Sequence, residues 1–516
     1  MRTILRCARV VTLFAMVVAG MVAATPADAR QPEPRPADVS APTVGRDVDL
    51  TAANPLTFRN PIREGAADPQ MVYDSGQYHL TYTAGNKIII VSAASVANLA
   101  TAPARTVWTD PTASRCCKMW APEIHKINGK WYIYYTAGTA TAELDTQRSH
   151  VIEATSLTGA WTYKGKLATQ DDFAIDGTVA TMPDGKLYYF WSQIHQGVPQ
   201  STYVSLMSNP WTLTGTKTRI STPDQGWEKH EGQVNEGPYV LVRNGKAWVF
   251  YSGSQCKSQY YAVGRLNWNG GNPVSASSWS KTGPVFAKSE DNHVFGPGHN
   301  SLFTSPDGTE TWNLYHAVTS RDGSPVGSCG GDRSARIQKV TFDASGVPQL
   351  GRPANSWTHL SLPGGDPGAA PLANGRYQIN PKDIPGATLD VLDCNKADNV
   401  PVTVYKNFPS ACQYWNITYL NDGSGTYKII NAHSGRALDV YGCSPDNGAK
   451  IQQFGYWGAD CQKWFIDKVS GGYRLQARGG GKALSVSGCS KSTERVALQT
   501  WWYYQAGCQK WNLVKA

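Results

Sequence analysis

Five short motifs recur along this chain at nearly even steps, and each places a polar or strand-edge group at the same kind of turn. The motifs are Ala67-Asp68-Pro69, Trp120-Ala121-Pro122-Glu123, Ile175-Asp176-Gly177-Thr178, Asn235-Glu236-Gly237-Pro238 and Gly298-His299-Asn300-Ser301. Counted between residues 68, 120, 176, 236 and 299, the steps are 52, 56, 60 and 63. Steps of this size match one propeller blade of about four strands. The sequence therefore predicts a five-bladed β-propeller.

Hairpin signals follow each motif and support this prediction. A Gly-containing turn precedes a strand segment rich in aromatic residues in every copy, as in Asn128-Gly129 before Trp131 to Tyr135. Such turns between aromatic or β-branched runs are typical of β-hairpins. We place the propeller at residues 56–362.

Three carboxylates stand in the motifs, at Asp68, Asp176 and Glu236. The first strand of each blade points toward the shared axis, so these side chains are expected to meet in one central pocket. Two or three carboxylates around one pocket are the basic equipment for cleaving a glycosidic bond.

The carboxy-terminal third contains a threefold repeat. Leu389-Asp390-Val391, Leu438-Asp439-Val440 and Leu484-Ser485-Val486 lie 49 and 46 residues apart, and each repeat ends in Cys-Gln-x-Trp. One repeat of this length cannot bury its own apolar face, whereas three around a pseudo-threefold axis can. We assign residues 375–516 to this domain and the Gly- and Pro-rich residues 363–374 to a linker.

The cysteines follow the repeats. Equivalent spacing in three copies predicts the disulfides Cys394–Cys412, Cys443–Cys461 and Cys489–Cys508. The propeller holds Cys116, Cys117, Cys256 and Cys329, for which three pairings are open; Cys116–Cys117 with Cys256–Cys329 is slightly preferred.

The amino terminus predicts export. Residues 1–29 have a positive start, an apolar stretch and an Ala27-Asp28-Ala29 cleavage site, and residues 30–55 are predicted to form a flexible leader. No later segment is apolar enough to span a membrane, and the net charge of +9 includes no Lys/Arg run typical of nucleic-acid binding. We expect a secreted, extracellular protein that contacts neither nucleic acid nor membrane.

On its tripled Gln-x-Trp motif, the carboxy-terminal domain resembles the ricin-B-type β-trefoil, carbohydrate-binding module family 13. The resemblance implies that each Trp fills the core and each Gln braces the backbone. It also implies two sugar sites, Asp390 with Tyr405 and Asp439 with Phe454. The third repeat has Ser485 in place of the Asp, so we expect that site to be weak or inactive despite Trp501.

On its five motifs, the propeller resembles glycoside hydrolase family 43, and most of all its secreted, exo-acting α-L-arabinofuranosidases. The resemblance implies an inverting single displacement with Asp68 as general base and Glu236 as general acid. Asp176 would hold the acid and raise its pKa. The substrate-binding residues implied in the same way are Arg336 and His299. Trp120 is a further candidate, which either lines the pocket as a hydrophobic wall or packs beneath it.

The resemblance also bears on cofactors. A His at the position of His299 often coordinates a hydrated ion on the propeller axis in this family, which implies a structural calcium or sodium ion held mainly by water. The chemistry itself is expected to need no cofactor.

Together these features predict an all-β, monomeric glycosidase that releases terminal α-L-arabinofuranose from arabinan, arabinoxylan or arabinogalactan, with the trefoil as a carbohydrate-binding tether. Three alternatives within the family are an exo-β-1,3-galactanase, a β-xylosidase and an endo-arabinanase. A non-catalytic lectin is the alternative of another class, and it would bind sugar without releasing any.

Overall fold

The computed structural model describes residues 57–319, 329 and 332–516, so the predicted signal peptide and leader lie outside the described residues. The described part confirms the all-β prediction of a five-bladed propeller followed by a β-trefoil. Its helices are short 3₁₀ turns only, at Val96–Asn98, Gly226–Glu228, Ala276–Ser278, Leu392–Cys394, Ala411–Gln413, Tyr441–Cys443, Asp460–Gln462, Ser487–Cys489 and Gly507–Gln509.

Four blades are antiparallel four-stranded sheets in which the strands follow chain order. Their strands are β2 (Gln70–Asp74), β3 (Gln77–Thr81), β4 (Ile88–Ala93) and β5 (Ala104–Trp108); β6 (Cys117–Ile127), β7 (Lys130–Gly138), β8 (Arg148–Ala154) and β9 (Thr162–Lys166); β10 (Ala174–Thr181), β11 (Leu187–His195), β12 (Val198–Asn209) and β13 (Thr212–Ser221); and β14 (Asn235–Arg243), β15 (Lys246–Gly253), β16 (Ala262–Trp268) and β17 (Trp279–Phe286).

The fifth blade differs, because its sheet has three strands, β18 (Phe295–Thr304), β19 (Thr311–Val318) and β20 (Ser334–Lys339). The start of the described chain lies against β20: the Ile62 amide donates to the Ala335 carbonyl at 2.9 Å, and the Ala335 amide donates to the Arg63 carbonyl at 2.9 Å. Close by, β1 (Thr57–Phe58) pairs with β23 (Leu360–Ser361), and β21 (Thr341–Phe342) pairs with β22 (Pro348–Gln349). Residues before the first blade therefore close the ring against the last.

Aromatic side chains fill the spaces between blades. The ring of Trp191 stacks between Tyr189 and Tyr203 at centroid distances of 5.6 and 5.7 Å, and Phe190 on the other face of the same strand meets Trp279 edge-on at 5.9 Å. Each blade thus contributes two apolar faces to neighbouring layers, which explains the aromatic enrichment seen in the sequence.

The trefoil is one sheet of twelve strands, and its core is built around three tryptophans. Trp415, Trp464 and Trp511 are fully buried, and each indole N–H donates to a carbonyl of the same repeat, at Leu389, Leu438 and Leu484 respectively. The strands are β24 (Gly375–Pro381), β25 (Ala387–Val391), β26 (Val400–Lys406), β27 (Trp415–Tyr419), β28 (Tyr427–Asn431), β29 (Ala437–Val440), β30 (Ile451–Phe454), β31 (Trp464–Val469), β32 (Gly472–Ala477), β33 (Ala483–Val486), β34 (Val496–Trp501) and β35 (Trp511–Lys515).

The Gln of each Gln-x-Trp motif braces its own repeat. In the second repeat Gln462 donates to the Gly455 carbonyl at 2.9 Å and accepts from the Trp457 amide at 2.9 Å. Gln413 and Gln509 make the same two bonds in the first and third repeats. The Gln side chain is therefore a structural bracket, as the resemblance implied.

Five disulfides cross-link the described residues. The three predicted within the trefoil repeats are present, and the propeller pairs are Cys116–Cys117 and Cys256–Cys329, which confirms the preferred pairing. Disulfides of this number fit an oxidising compartment. In the described part of the chain, no helix has the length and apolar character needed to cross a bilayer.

Candidate active site

In each of the five motifs, one residue has a left-handed backbone conformation. Asp68, Ala121, Asp176, Gly237 and His299 have φ between 41° and 56°. In the second to fifth blades the ladder register shifts at the same place, which marks a β-bulge. Because bulges re-aim side chains next to active sites, this irregularity explains how edge-of-strand residues turn toward one site. Glu236 and Trp120 lie one residue before the left-handed position, so the motifs are not in strict register.

Asp68 lies among donors and cations. One carboxylate oxygen, Oδ1, accepts from Arg333 Nη1 at 2.7 Å and lies 3.3 Å from His299 Nδ1. The other, Oδ2, accepts from the Thr83 hydroxyl at 2.7 Å. The backbone amide of Asp68 donates to His316 Nδ1 at 3.1 Å, so that nitrogen carries no proton.

These neighbours decide the protonation state of Asp68. Burial opposes ionisation, but the charge of Arg333, assisted by His299, holds the pKa of Asp68 well below its usual range. Asp68 is therefore an anion throughout the neutral range, which is the state a general base requires.

Glu236 has neutral hydrogen-bond partners instead. Its Oε1 accepts from the Tyr261 hydroxyl at 2.8 Å, and its Oε2 accepts from Gln200 Nε2 at 3.0 Å. Burial raises the pKa of Glu236, and the negative charge of Asp68 adds to this effect. The carboxyl is thus poised to hold a proton.

Asp176 lies beside Glu236. Its Oδ2 accepts from the Gly237 amide at 3.1 Å, which joins the third blade to the fourth next to the acid. Burial, together with repulsion from Glu236, raises the pKa of Asp176 to about 7. The charge of Glu236 thus acts on the pKa of Asp176, while the pKa of Glu236 is raised mainly by its own burial. The predicted role of Asp176 in raising the pKa of the acid stays a prediction.

His299 sits between the carboxylates. Its ring packs against Gly237, where a Cβ would lie 3.0 Å from the imidazole, so that glycine permits the close approach as well as the positive φ. Burial lowers the pKa of His299, but Asp176 and Asp68 outweigh it and raise the pKa overall. A cationic His299 would link both sides of the site.

Comparison with known proteins identifies the propeller. Residues 58–348, more than half of the chain, match the family model described as glycosyl hydrolases family 43. The chain belongs to glycoside hydrolase family 43. Residues 411–501 and 460–516 match the model of ricin-type β-trefoil lectin domains, so the enzyme carries a lectin-like trefoil after its hydrolase domain.

Relatives with named activities support this assignment. The chain is 38% identical over 327 residues to an extracellular exo-α-(1→5)-L-arabinofuranosidase of Streptomyces avermitilis. The matched region covers 60% of this chain and 67% of that protein. It is 36% identical to the Streptomyces chartreusis protein of the same name, over 52% of this chain and 84% of that one. The crystal structure of an α-L-arabinofuranosidase from Lactobacillus brevis superposes with a TM-score of 0.54 at 34% identity, over 58% of this chain and 98% of that one.

Several residues of the family 43 site were missing from the sequence prediction. Thr83, Gln200, Tyr261, His316 and Arg333 all lie outside the five motifs, yet each contacts Asp68 or Glu236 directly. His316 ends a strand segment that the sequence does mark, but nothing in the sequence distinguishes it from its aromatic neighbours.

Arg336, predicted to line the substrate subsite, lies elsewhere. Its guanidinium is buried and donates to the Thr319 hydroxyl and, at 3.5 Å, to the Ala354 carbonyl. The structure does not bring it to the carboxylates, and Arg333, three residues earlier on the same segment, makes the contact with Asp68. Successive side chains of an extended chain point to opposite faces. Arg333 and Arg336 are three residues apart, so they face opposite sides.

Trp120 is half-buried and directly precedes Ala121, whose amide donates to the Thr83 hydroxyl oxygen at 2.9 Å. The Thr83 hydroxyl itself donates to Asp68, so Trp120 is next in the chain to a residue that contacts a partner of Asp68. Its role in lining the pocket stays a prediction.

The ion implied at His299 would be held mainly by water. Among the described residues, no group of three or more His, Cys, Asp or Glu side chains is placed to hold a metal ion directly. The Nδ1 of His299 faces Asp68, which leaves Nε2 to face an ion or its water. The hydrated ion stays a prediction.

The trefoil brings together the residues of each candidate sugar site. Asp390 lies opposite Thr403, two residues from Tyr405, and Asp439 lies opposite Gln452, two residues from Phe454, so carboxylate and ring share one face in both repeats. The Asp439 carboxylate accepts from Gln452 at 2.8 Å. Both aspartates are largely buried, and burial raises the pKa of each.

Proposed function

We propose that this family 43 enzyme is a secreted α-L-arabinofuranosidase that removes terminal α-L-arabinofuranose from arabinan or arabinose-substituted plant polysaccharides with inversion. The observation that carries the proposal is a pair of carboxyls in one site with opposite partners: Asp68 accepts from Arg333 and has a lowered pKa, whereas Glu236 accepts from Tyr261 and Gln200 and has a raised pKa. The names of the Streptomyces and Lactobacillus relatives support the choice of sugar.

The reaction is a single displacement. Asp68 accepts a proton from water as the water oxygen attacks the anomeric carbon from the face opposite the leaving group. Glu236 gives its proton to the glycosidic oxygen as the C–O bond breaks, so the products are free arabinose and a shortened chain. Inversion needs base and acid on opposite faces, about 6.5–9.5 Å apart, so that water fits between them.

Other residues support the two groups. Arg333 and Thr83 hold Asp68 in place, while Tyr261 and Gln200 hold Glu236 through uncharged donors that leave its proton available for transfer. Asp176 would position the acid and raise its pKa. Trp120 would cover the apolar face of the sugar ring.

The trefoil would bind polysaccharide through Asp390 with Tyr405 and through Asp439 with Phe454. Its third repeat offers Ser485 where the other repeats have a carboxylate, so we assign sugar binding to the first two repeats. Tethering would raise the local concentration of substrate at the propeller. We infer a monomer with the boundaries given above, namely a signal peptide at 1–29, a propeller at 56–362 and a trefoil at 375–516.

The test is product analysis. The purified protein is incubated with linear α-1,5-arabinan, arabinoxylan and β-1,3-galactan, and products are separated by chromatography over time. Arabinose alone from the first minutes, released as the β-anomer in proton NMR and abolished in Glu236→Gln, is the expected result. A ladder of oligosaccharides would mean endo action, galactose or xylose would mean another specificity, and no product from any polymer would favour a lectin.

A further inference from the structure

The third trefoil repeat, which lacks the carboxylate, packs on the propeller. Its loop Trp502–Gln505 follows β34, and the Trp502 ring stacks on His293 at a centroid distance of 4.3 Å and on Trp357 at 5.1 Å. His293 lies two residues before β18, the strand that delivers His299. A repeat without a sugar-binding Asp thus makes an extensive contact with the catalytic domain.

The third repeat also contacts the segment that precedes Asp68 in the chain. The Tyr503 hydroxyl donates to Glu64 Oε1, and Lys510 Nζ lies 2.6 Å from Glu64 Oε2. Both partners of this ion pair are buried, with side chains 10% and 6% exposed. Removing one partner of such a pair leaves an uncompensated buried charge, so the contact resists separation. Glu64 stands four residues before Asp68.

A second contact reaches the residue beside Arg333. Gln505 Nε2 donates to the Ser334 hydroxyl at 2.7 Å and to the Asp332 carbonyl at 3.3 Å, and these two residues flank Arg333. The two held segments also pair with each other, through the backbone bonds between Arg63 and Ala335. The third repeat therefore contacts both of the chain segments that lead to Asp68 and to its partner Arg333.

We propose that the third repeat is a brace that positions Arg333 and Asp68, and that Tyr503, Gln505 and Lys510 act as positioning residues for the reaction. This inference rests on the proposed role of Asp68 as base. A base must be held at close tolerance to the attacking water, and displacement of about 1 Å is enough to cost a large factor in rate. The candidate sugar-binding aspartates of the first two repeats, Asp390 and Asp439, contact only trefoil residues among those that the structure describes, so the threefold scaffold would divide into two binding repeats and one supporting repeat.

The repeat symmetry supplies matched controls. Tyr456 and Lys463 occupy in the second repeat the positions of Tyr503 and Lys510, five residues before and two residues after the second Cys. Tyr456 is 37% exposed, and Lys463 pairs with Asp422 of the trefoil at 3.1 Å. Equal chemical changes can therefore be made with and without the propeller contact.

The experiment compares Tyr503→Phe and Gln505→Ala with Tyr456→Phe in the full chain, with thermal midpoints recorded for each. Steady-state kinetics on 4-nitrophenyl α-L-arabinofuranoside should show kcat reduced about tenfold in the first two variants, KM within twofold, and no change in the control. Lys510→Met against Lys463→Met repeats the comparison at the ion pair. Equal kcat in Tyr503→Phe and Tyr456→Phe would overturn the brace.

A double-mutant cycle separates positioning from general loosening. If Gln505 acts through Arg333, whose neighbours it holds, then Gln505→Ala should change kcat less than twofold once Arg333→Met is present. A full tenfold loss in both backgrounds would contradict the proposal.

The brace can also fail independently of the proposed function. If the wild type cleaves a xyloside or galactoside instead, the same ratios are measured on that substrate. If it cleaves nothing, amide hydrogen exchange decides: residues 62–68 and 332–336 should exchange faster in Tyr503→Phe than in Tyr456→Phe. Identical exchange would refute the brace whatever the activity.

Discussion

Asp68 and Glu236 bring the same functional group to one site, but their surroundings differ in charge. Arg333 donates to Asp68, with His299 close by, whereas Tyr261 and Gln200 donate to Glu236 without bringing a positive charge. The pKa of Asp68 falls and that of Glu236 rises, although both are deeply enclosed. The partners supplied by the fold, and not burial alone, thus give the two carboxyls opposite pKa shifts, which suit the proposed roles of base for Asp68 and acid for Glu236.

Replacing the base should have the largest effect. In Asp68→Asn the water loses its proton acceptor while the shape of the side chain is kept, so kcat should fall about 10⁴-fold. The loss should be equal on arabinan and on 4-nitrophenyl α-L-arabinofuranoside, because attack by water is needed for both. Steady-state rates check this, and a loss confined to arabinan would contradict the assignment.

Replacing the acid should depend on the leaving group. Glu236→Gln should lower kcat on arabinan about 10³-fold, since the sugar alkoxide leaves poorly without a proton. The loss on the 4-nitrophenyl glycoside should be far smaller, because nitrophenolate leaves unaided. If both substrates lost the same factor, Glu236 would not be the acid.

Removing Arg333, the cation beside Asp68, should reduce the difference in pKa between Asp68 and Glu236. Arg333→Met takes away the charge that holds the pKa of Asp68 low, so this pKa rises and the acid limb of kcat/KM moves to higher pH. We expect about a tenfold fall in kcat as well. Arg336→Met is the control, because Arg336 faces Thr319, and its acid limb should stay in place.

Removing a neutral donor from the acid should give the smallest effect. The Tyr261 hydroxyl stabilises the Glu236 anion, so Tyr261→Phe should raise the pKa of Glu236 further. The basic limb, where activity is lost as Glu236 ionises, should then move upward by less than about one pH unit. A downward shift in the measured profile would show that the hydroxyl does not support the anion.

The motifs and repeats were sufficient to predict the fold, because each copy of a pattern corresponds to one structural unit of the fold. Evenly spaced motifs mark blades, and the tripled Gln-x-Trp marks a buried Trp and its bracket in each repeat, as Trp464 and Gln462 show. The fifth blade departed from the four-strand expectation because residues 62–63 close the ring, a long-range pairing that no local pattern reveals.

The site was only partly predictable for the same reason. Asp68, Asp176 and Glu236 stand in the motifs, but most of their partners lie in or next to the second and third strands of the blades, where no motif marks them. Arg333 and Arg336 are three residues apart, and only the structure distinguishes the one that faces Asp68. The missing carboxylate of the third repeat was visible in the sequence as Ser485, whereas the contacts of Tyr503 and Gln505 with the propeller were visible only in the structure.

The most direct measurement is the pH dependence of kcat/KM on linear α-1,5-arabinan, whose leaving group needs the acid, for the wild type and Glu236→Gln. We predict a bell-shaped wild-type profile in which the basic limb reports the ionisation of Glu236 and Asp176 and the acid limb reports the protonation of Asp68. In Glu236→Gln the basic limb should disappear while the acid limb stays where it was. A variant profile that keeps its basic limb would contradict the assignment of acid and base to the two sides of the site.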